Sequence, residues 1–149
     1  VTGWAEFADG LATQLATLPT GAVVVIGEAP ISSDKSRTTQ FRQLDDSVWA
    51  QLAGDRWLDP AVQAGEQGRH LLRATGWQEP DADHLDNWWV ELPWPVPSTA
   101  YRRLADMVVT GLRDAFRIAD PTPLVYQAWN EKTANSPLEL PLLGLRPEA

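Results

Sequence analysis

Two histidines and a scatter of carboxylates are the groups from which any chemistry of this chain would have to be built. His84 lies among Asp81, Asp83 and Asp86, and a His/Asp cluster is a donor set that can hold a divalent cation. No HExxH spacing or calcium-loop pattern accompanies it, so the stronger reading is an exposed acidic loop that is simply solvated. His70 sits beside Leu71 in a helical stretch, where partial packing is the plainer role. Nucleophilic catalysis needs a serine, threonine or cysteine activated by a base. The chain has no cysteine, no GxSxG elbow, and serines that fall in loops or at a helix start. Its glycines never form GxxxxGK[ST] or GxGxxG, the loops that cradle phosphates. Paired carboxylates such as Asp45/Asp46 and Asp81/Asp83 occur on loops, as they do in any acidic protein. No catalytic constellation assembles. The expectation is a non-enzymatic protein without cofactor or metal, and an enzyme is the third-ranked reading.

Tryptophan is the compositional excess: eight residues, four of them inside Gly76–Pro97. Its large amphipathic ring suits both cores and binding hot spots. Trp4 falls on a helical apolar stripe and reads as core. Trp88 and Trp89 are adjacent in a predicted strand, so they point to opposite faces. If one faces the helices, the other faces solvent, a second helix or a partner. Trp94 is caged between Pro93 and Pro95 and reads as a surface anchor, and Trp57 anchors a connector. Trp88, Trp89, Trp94 and Trp57 are therefore the candidate partner-binding residues, with core packing alone as the competing reading for the first three.

At 149 residues the chain fits one domain, able to bury roughly 68–70% of the surface its unfolded form exposes. A net charge of −8 disfavours nonspecific attraction to nucleic acid or anionic lipid, and the arginines near the aromatics are offset by acids. The absence of cysteine excludes disulfides and thiol metal sites. No apolar run approaches a membrane span, and the start lacks the basic-then-apolar pattern of a signal peptide. The expectation is a soluble, cytoplasmic protein.

The elements that must position these residues follow from periodicity. Thr2 can cap a first helix carrying Trp4, Phe7, Leu11, Leu15 and Leu18 at spacings of three and four. The run Ala22–Ile26 reads as a central strand covered on both faces. Ala29–Ser36 is a hairpin tip, Arg37–Leu44 pairs back with Phe41 and Thr39 inward, and Val48–Ala53 makes a third strand. A second helix covers Val62–Thr75 and stops at Gly76. Asn87–Leu92 is the fourth strand, with Gly76–Glu79 as a possible extra pairing. Ser98 is the expected N-cap of a third helix running through Phe116. Asp120-Pro121 resembles a cap followed by proline at the first helical position, predicting a short helix through Trp129. Residues 131–149 are rich in proline and leucine and are expected to lie extended on the domain or on a partner.

Three stretches in this order resemble a known family. They are W-x-x-F…L-P-x-G-A-V-V-V-I-G-E (Trp4–Glu28), the GW-x-x-P turn Gly76–Pro80 followed by Asn87-Trp88-Trp89, and T-G-L-R-D-A-F (Thr110–Phe116) leading to Leu124-Val125-Tyr126. Together they are similar to actinobacterial TY-Chap domains and the related YbjN-like proteins, which are grouped with type III secretion chaperones, over about Val1–Asn130. The resemblance implies an α+β domain, an antiparallel sheet of four to five strands with helices packed against it, in the order α-β-β-β-α-β-α-α. It also implies a homodimer and a client or partner protein, bound by β-augmentation or in a groove. The leading reading is a chaperone-like or adaptor domain using exposed aromatics and a sheet edge. The alternative is a sensory or regulatory small-ligand domain with an aromatic-lined pocket between sheet and helices.

Overall fold

A computed structural model describes residues 3–148. Helix α1 spans Trp4–Ala16 and buries the expected stripe of Trp4, Phe7, Leu11 and Leu15. The Glu6 carboxylate reaches back to accept the Gly3 N–H at 2.7 Å, satisfying a donor that has no partner within the helix. The expected cap at Thr2 lies outside the described residues.

Strands β1 (Ala22–Glu28), β2 (Thr38–Gln43) and β3 (Ser47–Leu52) form the antiparallel meander that the alternation predicts. Phe41 and Thr39 are buried on its inner face. Helix α2 is Gly65–Thr75, later than the expected start at Val62. Asp59 caps a separate 3-10 turn at Pro60–Val62 instead. Gly76, at φ +118, ends α2 in a left-handed conformation that glycine alone adopts without steric cost. Strand β4 (Trp88–Pro93) pairs with β3, and the segment after Gly76 adds only the single bridge Gln78–Trp89.

Helix α3 (Ser98–Val109) begins on Ser98 itself, after an extended Pro97 and with no side-chain cap. Ser98 is thus the first helical residue, not the N-cap, and its hydroxyl is past the position from which a cap reaches the free N–H groups. A π-helical turn, Thr110–Ala115, carries the chain to buried Phe116.

The largest correction concerns the helix predicted from Asp120 to Trp129. Asp120 and Pro121 make only a local turn, with Thr122 N–H donating to the Asp120 carboxylate and Leu124 N–H to the Pro121 carbonyl, both at 2.9 Å. Leu124–Asn130 is strand β5, paired along its whole length with β1. Buried β1 has two edges of N–H and C=O groups to satisfy, and β2 serves only one of them. The short strands β6 (Ser136–Pro137) and β7 (Arg146–Pro147) then border β5 on its far side. The sheet order is β4-β3-β2-β1-β5-β6 with β7 alongside β5. This is the expected α+β class, with more strands than expected and a strand in place of the last helix.

The three helices and one face of the sheet share the core, which includes Phe7, Leu11, Ile26, Phe41, Trp88 and Leu112. The alternate residues of β1 to β5 project to the other face, where Gln40, Arg42, Trp49, Trp89 and Trp129 are only partly covered.

Candidate functional site

Strand register organises that second face into two rows. One runs Trp129, Val23, Arg42, Trp49, Glu91 across β5, β1, β2, β3 and β4, and the next runs Gln127, Val25, Gln40, Gln51, Trp89. Aromatic rings stand on β3, β4 and β5, with Gln40 and Gln51 on β2 and β3 and valines on β1. Cross-strand neighbours of this kind lie close enough to act as one surface.

The acidic loop expected to be merely solvated is pinned onto this face. His84 is buried at 8% exposure, its ring stacked on Trp89 at 3.7 Å and 2°. Its Nδ1 meets the Asp81 carboxylate at 2.7 Å and its Nε2 meets Glu91 at 2.5 Å. Both ring nitrogens are thus already engaged, which corrects the reading of an exposed, simply solvated loop at His84. Burial works against protonation of the imidazole, but the hydrogen bonds that its N–H groups donate to Glu91 and Asp81 outweigh it and raise the pKa above the ordinary histidine value. The bond to His84 in turn holds the Asp81 carboxyl below the usual aspartate range. Sequence reasoning found the cluster but not its lock. Trp89 and Glu91, two apart on one strand face, were the available signal.

The same loop then turns through two consecutive left-handed residues, Leu85 at φ 58 and Asp86 at φ 59. Neither is glycine, so the conformation carries a steric cost that the surroundings must hold. Trp57 Nε1–H donates to the Leu85 carbonyl at 2.6 Å, and Arg56, lying over the Trp57 ring at 5.3 Å, pairs with Asp86 at 2.5 Å. Asn87 accepts the Gly54 N–H at 2.9 Å and donates to the Gln51 amide oxygen at 3.1 Å. The product is an apolar ridge: Leu85 is 64% exposed beside Trp57 at 50%.

Leu85 stands at the junction of two depressions. One, of about 540 Å³, is bordered by Ile31, Asp34, Thr38, Trp57, Leu58 and Asn87. The other, of about 210 Å³, is lined by Gln40, Arg42, Trp49, Gln51 and Asp83. The loop that walls the first is tied down by Arg37, whose guanidinium forks onto Glu28 at 2.7 and 2.6 Å and donates to the Phe116 carbonyl. Burial would push the Glu28 carboxyl up, but hydrogen bonds and charge from Arg37 bring it below its ordinary value.

The candidate tryptophans do not converge. Trp88 is 1% exposed in the core, which leaves no face of it for a partner. Trp89 lies on the open face beneath His84, Trp57 forms the ridge, and Trp94, 39% exposed, stands past the end of β4. Trp49 and Leu85, which line the second depression, are not among the candidates drawn from the sequence. His70, expected to be partly packed, is exposed on α2.

The sheet edges offer little free backbone. β5 is bordered by β6 and β7. On β4, Trp89 is bridged to Gln78, so by strand alternation Glu91 presents its N–H and C=O outward, while Pro93 brings no donor. Between that edge and α3 lies a recess of about 200 Å³ lined by Val90, Leu92, Ala100, Arg103, Leu104 and Met107. None of these is aromatic.

No helix of the described residues is long and apolar enough to cross a membrane. A family model described as "T3SS (YopN, CesT) and YbjN peptide-binding chaperone 3", TY-Chap3, matches residues 1–130. No curated protein and no solved structure matches the chain.

Proposed function

The chain belongs to the TY-Chap3 family of peptide-binding chaperones, and on that premise we propose that it binds an extended segment of a client protein, without catalysis, along the outer face of its sheet. The observation that carries this reading is the Leu85 ridge. An exposed leucine is held in a left-handed backbone where two depressions meet, with Trp57 beside it. Backbone conformations of this cost persist where the surroundings enforce them, and they concentrate at binding sites.

In this reading Leu85, Trp57 and Trp49 are the apolar contacts. Gln40 and Gln51 face the client's main chain, where side-chain amides can donate and accept. Trp89 acts by holding His84 and so the loop, Glu91 offers a short piece of sheet edge, and Trp94 is a separate contact past the end of β4. The protein acts in the cytoplasm as an adaptor or chaperone whose specificity is low per residue, as the open, partly polar face suggests.

The test is selection of peptides from a random displayed library against the intact protein, followed by titration against variants. Trp57→Ala and Leu85→Asp should each weaken a selected peptide by about thirtyfold, a hot-spot loss, while thermal unfolding shows both variants still folded. Peptides that bind all variants equally, or a library that yields none, would overturn the proposal. Loss with Trp94→Ala alone would move the site to the end of β4.

A further inference from the structure

The far edge of β5 is occupied by residues 136–148 of the same chain, which lie beyond the residues that the family model matches. Leu138 N–H donates to the Ala128 carbonyl at 3.0 Å, and Glu148 N–H donates to that of Tyr126 at 2.8 Å. In between, the segment leaves the sheet and crosses α1. There Leu142 N–H donates to the Gln14 amide oxygen at 2.9 Å, and Leu140 and Leu143 are buried. A Cβ at Gly10 would overlap the Leu142 carbonyl oxygen. Glycine in the middle of a helix costs stability, and here it makes room for the crossing. The seat is therefore shaped to this sequence: main-chain bonds at the sheet edge, leucine sites against the core, and a notch in α1.

The connection that folds this segment back is poorly suited to its turn. Ala134 and Asn135 are consecutive left-handed residues, at φ 55 and φ 59. They close the connection between Asn130 and Ser136, whose first residues, Glu131–Thr133, form a 3-10 turn, and alanine at the first left-handed position carries a steric cost that glycine would not. The turn residues are exposed, so water can satisfy whatever backbone groups an opened turn releases. Strained short hinges favour exchange of the segment they carry between copies.

We propose that the tail is exchanged between two copies of this chain: residues 136–148 of each copy occupy the β5 edge and α1 crossing of the other, and residues 131–135 straighten as the hinge. Every seat contact of the closed monomer is kept in the two-fold dimer. The balance is then set by the hinge and by protein concentration. The peptide-binding reading is independent of this surface, and Trp57→Ala should leave the exchange untouched.

The chain has no cysteine, so Gln127→Cys with Arg146→Cys supplies its only thiols, on neighbouring strands at the tail's seat. Monomer and dimer are separated by size, each is treated with a short bis-maleimide, and both are run under denaturing conditions. Links joining two chains in the dimer and links within one chain in the monomer are expected. A dimer with links only within each chain overturns the exchange, and so does a chain that stays monomeric at every concentration reached. Ala134→Gly should lower the dimerisation constant by about tenfold or more, and deletion of residues 134–135 should make the dimer dominant. A dimer fraction indifferent to both changes refutes the role of the hinge and with it the proposal.

Discussion

Gly10→Ala separates two opposed expectations for the same residue. On helix propensity alone, alanine in the interior of α1 stabilises by about 0.8–1.0 kcal/mol. In the folded chain the new methyl would overlap the Leu142 carbonyl oxygen and sit 2.8 Å from its carbon. Both are backbone atoms and cannot rotate aside, so the tail must lift. Lifting strains the bond from Leu142 N–H to Gln14, worth about 0.5–1.5 kcal/mol. It also uncovers part of Leu143, now 1% exposed, whose full burial is worth about 1.5–3 kcal/mol. The losses exceed the propensity gain, for a net destabilisation of about 1–3 kcal/mol. Urea unfolding at neutral pH reads it directly, and in a chain of this size it lowers Tm by about 3–10 °C. A Leu143→Ala background supplies the coupling: with the leucine site already emptied, the cost of Gly10→Ala should shrink. If Gly10→Ala instead raises stability by about 1 kcal/mol, as propensity predicts, the tail does not lie on α1.

The remaining predictions concern the sheet. His84 is held protonated more strongly in the fold than when unfolded, because the bonds to Glu91 and Asp81 outweigh burial. Its contribution is complete below the ordinary histidine value and is lost as pH rises through the raised one. Asp81 works in the opposite sense, contributing above the ordinary aspartate value and losing that as pH falls through its lowered one. Urea unfolding of the parent and His84→Gln from about pH 5 to about pH 9 should show the parent's advantage largest on the mildly acidic side and fading at the alkaline end. A constant offset between the curves would refute the clamp. Trp88→Ala should cost about 3–5 kcal/mol, while Trp94→Ala should stay within about 0.5 kcal/mol. Equal costs in equilibrium unfolding would mean that the two rings are wrongly placed.

Local pattern was enough wherever an element's neighbours merely had to be apolar. The three-and-four spacing of Trp4, Phe7, Leu11 and Leu15 specified α1 and its buried face. The β-branched run after Gly21 specified β1, and alternation turned Phe41 and Thr39 inward on β2. Adjacency in a strand divided Trp88 from Trp89, though which ring met the core depended on where the helices packed. The local signals failed where a short stretch could serve two structures. Asp120-Pro121 is a sound helix start that became a turn, because the Leu124–Asn130 segment gains more by filling the second edge of β1. The start of α3 shifted for a related reason, since extended Pro97 left Ser98 inside the helix.

The sequence by itself determined the α+β class, the meander of β1 to β3, the family resemblance and the absence of cysteine chemistry. It also marked tryptophan as the unusual resource. Only the tertiary structure decided how that resource is spent. Trp88 went to the core, Trp57 turned its N–H to Leu85, and Trp89 became the platform under His84. It likewise decided that the acidic loop is a clamped ridge and that Gly10 is a notch for the tail. The physical reason is range. Periodicity records what one element requires along its own length. A ring stack between a loop and a strand, or a helix glycine facing a carbonyl more than a hundred residues away, depends on which surfaces meet, and no local spacing encodes that meeting.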